Sequence, residues 1–320
     1  MGIWGRNQLR RSQGSNLIST ATCDRTKSEH GVGMSVHSFG GTWTERKLSV
    51  VRRYLEMYAK ALMNQSFQRV YIDAFAGTGD RTDKRRATLP LLDLPEFDAV
   101  AKGSARLALE VEPPFHRYIL IERATRRASE LAALKSEFPS RKIEIINADA
   151  NEAIAAVCRE TSWSGTRGVV FLDPYGLQVT WDTLVAIAQT KALDVWVLFP
   201  SGMGLNRLLT KSGDIPQEWQ ETLDRSLGTD EWRSAFYRSE EEPDLFAGQR
   251  SKTVKDADPA KLEKYYLDRL RTIFPTVMNK SIRLTNSKDQ TMYLLCFACA
   301  NPSPKARALV SRLAASAAKA

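Results

Sequence analysis

At 320 residues and 43% apolar content, the chain has room for one large α/β domain, alone or with a small appendage. Its four cysteines are too few and scattered for a disulfide framework, no window approaches the roughly 20 apolar residues of a membrane span, and no apolar signal core follows Arg10-Arg11, so a reduced, cytoplasmic protein is expected. The 46 Lys and Arg against 37 Asp and Glu give a net charge of +9, which favours a polyanionic partner such as nucleic acid over a basic one.

Residues 1–40 are rich in Gly, Ser, Thr and Asn without periodicity and read as a disordered tail, with Met34 an alternative start just before the first organised segment. Thr42-Trp43-Thr44-Glu45 has the capping-box pattern, and Leu48, Val51, Leu55, Tyr58 and Leu62 recur at helical spacing, so a helix is expected from about 43 to 63. Val70–Phe75 is a short β-prone run that ends in Ala76-Gly77-Thr78-Gly79, a strand followed by a glycine turn. The charged segment Asp80–Lys102 reads as a loop insertion carrying Arg81, Lys84, Arg85 and Arg86. Strand and helix patterns then alternate: Arg117–Glu122 (strand), Thr125–Phe138 (helix), Lys142–Asp149 (strand), Asn151–Glu160 (helix), Gly168–Asp173 (strand), Thr180–Lys191 (helix) and Leu193–Pro200 (strand). Such alternation predicts an α/β fold with a mostly parallel sheet and helices on both faces.

Beyond Phe199 the pattern changes. Trp219, Leu223, Leu227, Trp232 and Phe236 suggest helical pieces, so 205–260 is expected to be a helical insertion. A helix over Lys261–Phe274, an antiparallel hairpin of Lys280–Leu284 with Thr291–Ala298, and a helix over Pro304–Ala317 follow, which leaves 41–204 and 261–320 as the core domain. Cys296-Phe297-Ala298-Cys299 has C-x-x-C spacing, but it lies in an apolar run without a second pair, and buried strand thiols are expected rather than a metal site.

Four strand ends carry acids: Asp73 with Gly77 and Gly79, Glu122, Asp149 and Asp173. In a doubly wound sheet, ligands bind outside the carboxyl ends of the strands at the switch point, so these acids are expected to share one crevice. An acid at the end of the second strand can accept from both ribose hydroxyls, which makes Glu122 the mark of a nucleoside ligand. The turn Ala-Gly-Thr-Gly-Asp-Arg lacks the third glycine of a dinucleotide fingerprint and presents no phosphate cradle, so an adenosine ligand without phosphates fits better. S-adenosylmethionine (SAM) has that shape, with Asp149-Ala150 meeting the adenine. Asp149 can equally cap the helix that follows, and Glu122 alone can be a surface acid.

Asp73-Ala74-Phe75-Ala76-Gly77-Thr78-Gly79 and Asp173-Pro174-Tyr175-Gly176 resemble motifs I and IV of class I SAM-dependent methyltransferases. More closely, Thr44-Glu-x-Lys47-Leu48, Tyr71–Gly77, Gly103-Ser104, Phe171–Gly176, Trp181, Phe199-Pro200, Asn206–Leu209 and Trp232, taken in order, look like the three-Cys-motif partner protein family, TcmP, over about residues 42–300. That resemblance implies a Rossmann-like class I methyltransferase fold and a neighbouring three-Cys-motif protein of the radical-SAM type; it does not name a substrate. Thr78 and Ala105 stand where the family commonly has proline, and neither change removes a side-chain ligand.

By the same resemblance, Asp173 and the Pro174 carbonyl accept the hydrogens of an exocyclic amine while Tyr175 stacks on its base, as in amino-methyltransferases. Asp-Pro-Tyr-Gly also resembles the turn of some guanine-N2 tRNA methyltransferases, so N-methylation of a nucleic-acid base is expected, with RNA ahead of DNA. A non-catalytic SAM-binding partner subunit and a small-molecule amine methyltransferase are the alternatives. Tyr175 and Trp181 are candidate stacking platforms, Lys47 a candidate for the methionine carboxylate, and Arg81, Arg85, Arg86 and Arg207 candidates for phosphates.

Overall fold

The computed structural model describes residues 42–76, 96–244 and 248–320. The expected N-terminal tail and most of the expected loop insertion lie outside the described residues. The chain opens with α1 (Thr42–Ala61), β1 (Gln68–Asp73), α2 (Glu96–Leu109), β2 (Arg117–Ile121), α3 (Thr125–Glu137), β3 (Ile143–Ile146), α4 (Ala150–Glu160), β4 (Thr166–Leu172), α5 (Trp181–Gln189) and β5 (Leu193–Phe199). A π-helical turn (Ser201–Leu205), α6 (Asn206–Leu208), α7 (Gln217–Leu227), α8 (Trp232–Phe236), β6 (Tyr237–Asp244) and β7 (Gly248–Lys255) follow. The chain closes with α9 (Pro259–Arg271), β8 (Thr276–Val277), β9 (Ile282–Thr285), β10 (Thr291–Cys299) and α10 (Pro304–Ala317).

The main sheet runs β3-β2-β1-β4-β5-β10-β8, with β9 also paired to β10. The first five strands are parallel, and β10 returns antiparallel to β5 with Leu294 opposite Phe199. This is the Rossmann-like class I methyltransferase fold expected from the sequence, with its C-terminal antiparallel hairpin. Strand order reverses between β1 and β4, which makes their carboxyl ends the switch point.

The two-residue period of a strand sorts the core into two layers. On β1, β2, β4, β5 and β10, residues such as Ile72, Ile121, Leu172, Val197 and Cys296 face one layer, completed by α4, α5, α7 and α9. Their neighbours Tyr71, Leu120, Phe171, Trp196 and Phe297 face the other, completed by α1, α2, α3 and α10. β5 is buried along its whole length, as a central strand covered on both faces must be. The same parity separates Cys296 from Cys299: three positions apart on β10, the thiols face opposite layers and cannot share a ligand.

The segment 205–260 contains α7 and α8, and it also contains a two-stranded sheet, β6 with β7, where helical pieces alone were expected. Its strands read Tyr-Arg-Ser-Glu-Glu-Glu-Pro-Asp and Gly-Gln-Arg-Ser-Lys-Thr-Val-Lys. With so few apolar residues they carry no period-2 hydrophobic signal.

Beneath α1, Asp194 of β5 is fully buried and accepts from the Tyr54 hydroxyl at 2.6 Å, with the Cys299 thiol as a second donor from its register partner on β10. Burial pushes its carboxyl up to about 6, a shift that the two hydrogen bonds only partly oppose. An unfolded Asp titrates near 3.9, so the folded state binds more protons in between, and stability falls as pH rises through that window. The shift corresponds to a loss on the order of 2–3 kcal/mol at neutral pH. The Asp194→Asn variant is expected to gain stability relative to wild type as pH rises from about 4 to about 6, with a constant difference above; urea unfolding across this range checks it, and parallel pH profiles would refute it.

Candidate functional site

Strand parity and register bring the acids of β1 and β4 together. Asp73 pairs with Phe171 across the β1–β4 ladder, and Asp173 lies two residues past Phe171 on the same side. Both therefore emerge under α1, at the switch point. From α1, Lys47 reaches down with a side chain only 1% exposed, and its ammonium donates to Asp173 Oδ2 at 2.5 Å. The ammonium lies 5.3 Å from the Trp43 ring centroid and 6.0 Å from that of Phe171, while Trp43 stacks on Tyr293 of β10 at 5.1 Å. Cation–π attraction in so dry a setting supports the ion pair.

Asp73 is fully buried. Burial, joined by the negative charge of Asp173, pushes its carboxyl up to about 7, against hydrogen bonds from Ser104, the Tyr71 hydroxyl and the Phe75 backbone. The Tyr71 hydroxyl donates to Oδ2 at 3.2 Å, whereas Oδ1 has no hydrogen-bond partner among the described residues. A buried oxygen of this kind is costly unless something occupies it. Lys47, the cation that packs here among the described residues, is committed to Asp173.

The Asp173-Pro174-Tyr175-Gly176 turn closes with Gly176 at φ 69°, a left-handed conformation that glycine adopts without penalty. Burial, then the charges of Asp173 and Tyr175, push the Tyr293 phenol upward, so the three groups share one neighbourhood. Ahead of it, the chain leaving β1 is held by its backbone: the Ala74 N–H donates to the Phe171 carbonyl at 3.1 Å and the Ala76 N–H to the Ile121 carbonyl at 2.9 Å. Phe75 is half-buried and Ala76 buried. Gly77, Gly79, Arg81, Arg85 and Arg86 lie outside the described residues.

Glu122 follows β2 at the same edge, its side chain buried. Its Oε1 accepts from the Ala124 N–H at 2.6 Å and from Arg127 at 3.0 Å, and no bond to Oε2 is seen among the described residues. Asp149 caps α4 by accepting from the Asn151 N–H at 2.9 Å, which places the buried Ala150 at the first turn. Asn151, which sequence reasoning passed over, is the local hub. Its amide donates to Asp149 and to the Gln178 carbonyl, and its oxygen accepts from the Thr180 N–H and, at 2.7 Å, from the Thr183 hydroxyl. A lone Asn two residues after a capping Asp carries no signal that would have singled it out.

No protein-family model matches this chain, and no curated protein matches it. Among solved structures, it is similar to a Legionella pneumophila protein, LPL1258, of the DUF519 family, at 16% identity over 74% of this chain and 94% of that one, with a TM-score of 0.36. It is likewise similar to the 23S rRNA methyltransferase ErmE at 15% identity, over 67% and 74% of the two chains, with a TM-score of 0.26. The fold is defined by the sheet order and register described above.

One expected substrate residue stands apart from this cluster. Trp181, expected as a stacking platform, is 7% exposed and belongs to the core layer on the other side of the sheet from Lys47. Gly228, at φ 67° past the end of α7, lies so close that a Cβ there would stand 2.1 Å from the indole, and the Arg269 guanidinium lies 4.5 Å from its ring centroid. With its ring so occupied, Trp181 packs the insertion onto α5 rather than receiving a base. Arg207 is exposed on α6. Conversely, Trp43, Tyr71 and Tyr293 belong to the site and were not anticipated; Tyr71 was findable, because residue i−2 on a strand shares the face of Asp73.

The Lys47–Asp173 pair is buried enough that breaking it from one side leaves an uncompensated charge. The Lys47→Met variant is expected to lose about 3 kcal/mol, and Lys47→Met/Asp173→Asn to recover most of that loss. Chemical denaturation of both checks this, and a double variant no more stable than Lys47→Met would show that the two side chains are not coupled.

Proposed function

We propose that this chain binds SAM at the carboxyl edge of β1 and β2 and transfers its methyl group to an exocyclic amine of a nucleic-acid base, RNA ahead of DNA. The observation that carries the reading is the buried Asp73 oxygen, without a hydrogen-bond partner among the described residues, beside the Asp173-Pro174-Tyr175 turn at the switch point of the sheet. The residues fit the cofactor: Asp73 offers a buried acceptor, Glu122 keeps Oε2 for ribose hydroxyls, and the α4 start at Asp149-Ala150 meets an adenine ring. SAM supplies an electrophilic methyl on a sulfonium, so the acceptor nitrogen needs no metal.

What the chain contributes is position. Lys47 holds Asp173 Oδ2, which leaves Oδ1 and the Pro174 carbonyl to accept the two hydrogens of the target amine and turn its lone pair toward the methyl. The Tyr175 ring then provides the stacking face for the base. The proton shed by the methylated nitrogen has Asp173 as its nearest base.

A second reading has a specific observation in its favour. Because Asp173 already has a structural partner in Lys47, the cluster is also compatible with a SAM-binding subunit of a three-Cys-motif, radical-SAM-type protein that transfers nothing itself. Met63 is the one exposed large hydrophobic among the described residues, so the described surface offers little for an obligate apolar interface. No helix among the described residues is long and apolar enough to cross a membrane.

Methyl-labelled SAM incubated with total RNA or DNA decides between them. Wild type is expected to label polymer, and Asp173→Asn to label it at least about 100-fold more slowly while retaining SAM binding by calorimetry. SAM binding without transfer to any polymer selects the subunit reading; no SAM binding removes both.

A further inference from the structure

The outer edge of the sheet carries a surface that the site above does not use. Here β8 and β9 pair one after the other with β10, flanked by α9 on one side and by α10 and the start of α1 on the other. Between them lies an open groove of about 1190 Å³. Along α9 its wall is formed by Ala260, Lys264, Leu267 and Arg271, a helical spacing that places two cations on one face. The opposite wall is Ser311 and Ala315 of α10 with Ala318 just past its end, small side chains that leave the groove wide.

The groove's charge is lopsided. Arg46, Lys264, Arg271, Lys280 and Arg283 line it against Glu263 and Asp289. Glu263 is taken by Arg283 at 2.6 Å and by Ser281, and Lys264 and Arg271 share Asp268 at 2.6 and 2.7 Å. Arg46 and Lys280 have no ion-pair partner among the described residues and are exposed. A cation without a carboxylate partner attracts an external anion most strongly.

Topology ties one end of this groove to the methyl-transfer crevice. The lining residues Thr285 and Thr291 are register partners at the start of β10, and β10 runs antiparallel to β5. That end therefore stands at the same sheet edge as Asp73 and Asp173, and Arg46 immediately precedes Lys47 on α1. The other end, at Thr276 and Val277, pairs with Cys299 and Ala298 at the opposite edge. The groove thus follows β10 along its length, roughly 30 Å at 3.3 Å per residue. A span of that size exceeds a nucleoside and matches several consecutive phosphates of one strand.

We infer that this groove holds the sugar-phosphate backbone of a nucleic-acid strand whose target base occupies the crevice at Asp173. The inference rests on the nucleic-acid reading of that crevice. Its contacts are phosphate contacts, so they position the strand without reading sequence.

Arg46→Ala/Lys280→Ala tests it against a control, Lys135→Ala/Arg159→Ala, which removes two exposed cations from α3 and α4 and changes net charge equally. Anisotropy of short labelled single-stranded RNA and DNA is followed across a KCl series, with SAM binding measured in parallel. The groove variant is expected to bind about tenfold more weakly and to lower the log–log salt slope by about 1.4 to 1.8, two phosphates' worth, with SAM affinity unchanged and the control matching wild type. Unchanged affinity and slope in the groove variant, or an equal loss in the control, overturns the groove while leaving a nucleic-acid substrate standing. Wild type that binds neither polymer overturns both. Competition by an acidic peptide as strong as that by the oligonucleotide at equal ionic strength also overturns it, in favour of a protein ligand.

Discussion

One buried ammonium organises the crevice. Placing Lys47 inside a protein is unfavourable unless a carboxylate meets it, and Asp173 does so across 126 positions of sequence. The pair fixes α1 against the end of β4, and with it the aromatic floor of Trp43, Phe171 and Tyr293. With Lys47 so engaged, burial and the negative charge of Asp173 raise the Asp73 carboxyl. Two acids on one sheet edge thereby acquire different characters: one stays ion-paired, and the other keeps an oxygen with no partner among the described residues.

Much of this was legible in the chain because strand ends are legible. A β-prone run that stops at an acid and a turn predicts where that acid will point, and parallel alternation predicts that all such ends share an edge. Asp73, Glu122, Asp149 and Asp173 were placed at strand ends by this logic alone. Lys47 was visible as a residue but not as the partner of Asp173, since an ion pair between α1 and β4 leaves no local spacing to read. Trp181 misled for a related reason: an aromatic at a helix start looks the same in sequence whether it faces a ligand or the underside of an insertion, and only Gly228 and Arg269 reveal which. The β6–β7 hairpin escaped because strands without apolar alternation have no periodic signature.

The insertion is also better joined to the core than a polar, helical segment suggests. The Ser226 hydroxyl donates to the Leu177 carbonyl at 3.1 Å, and the Arg269 guanidinium to the Leu227 carbonyl at 3.0 Å. Leu177 directly follows the Asp173–Gly176 turn, so α7 braces the turn from behind.

Asn151 has a bearing on kinetics. By bonding Asp149 on one side and Gln178, Thr180 and Thr183 on the other, it locks the ends of β3 and β4 into one piece. A wall assembled before the ligand arrives has little conformational freedom left to lose. Arrival at this wall is then governed by diffusion and charge, and differences in affinity among ligands or variants of this wall will show chiefly in how long each one stays.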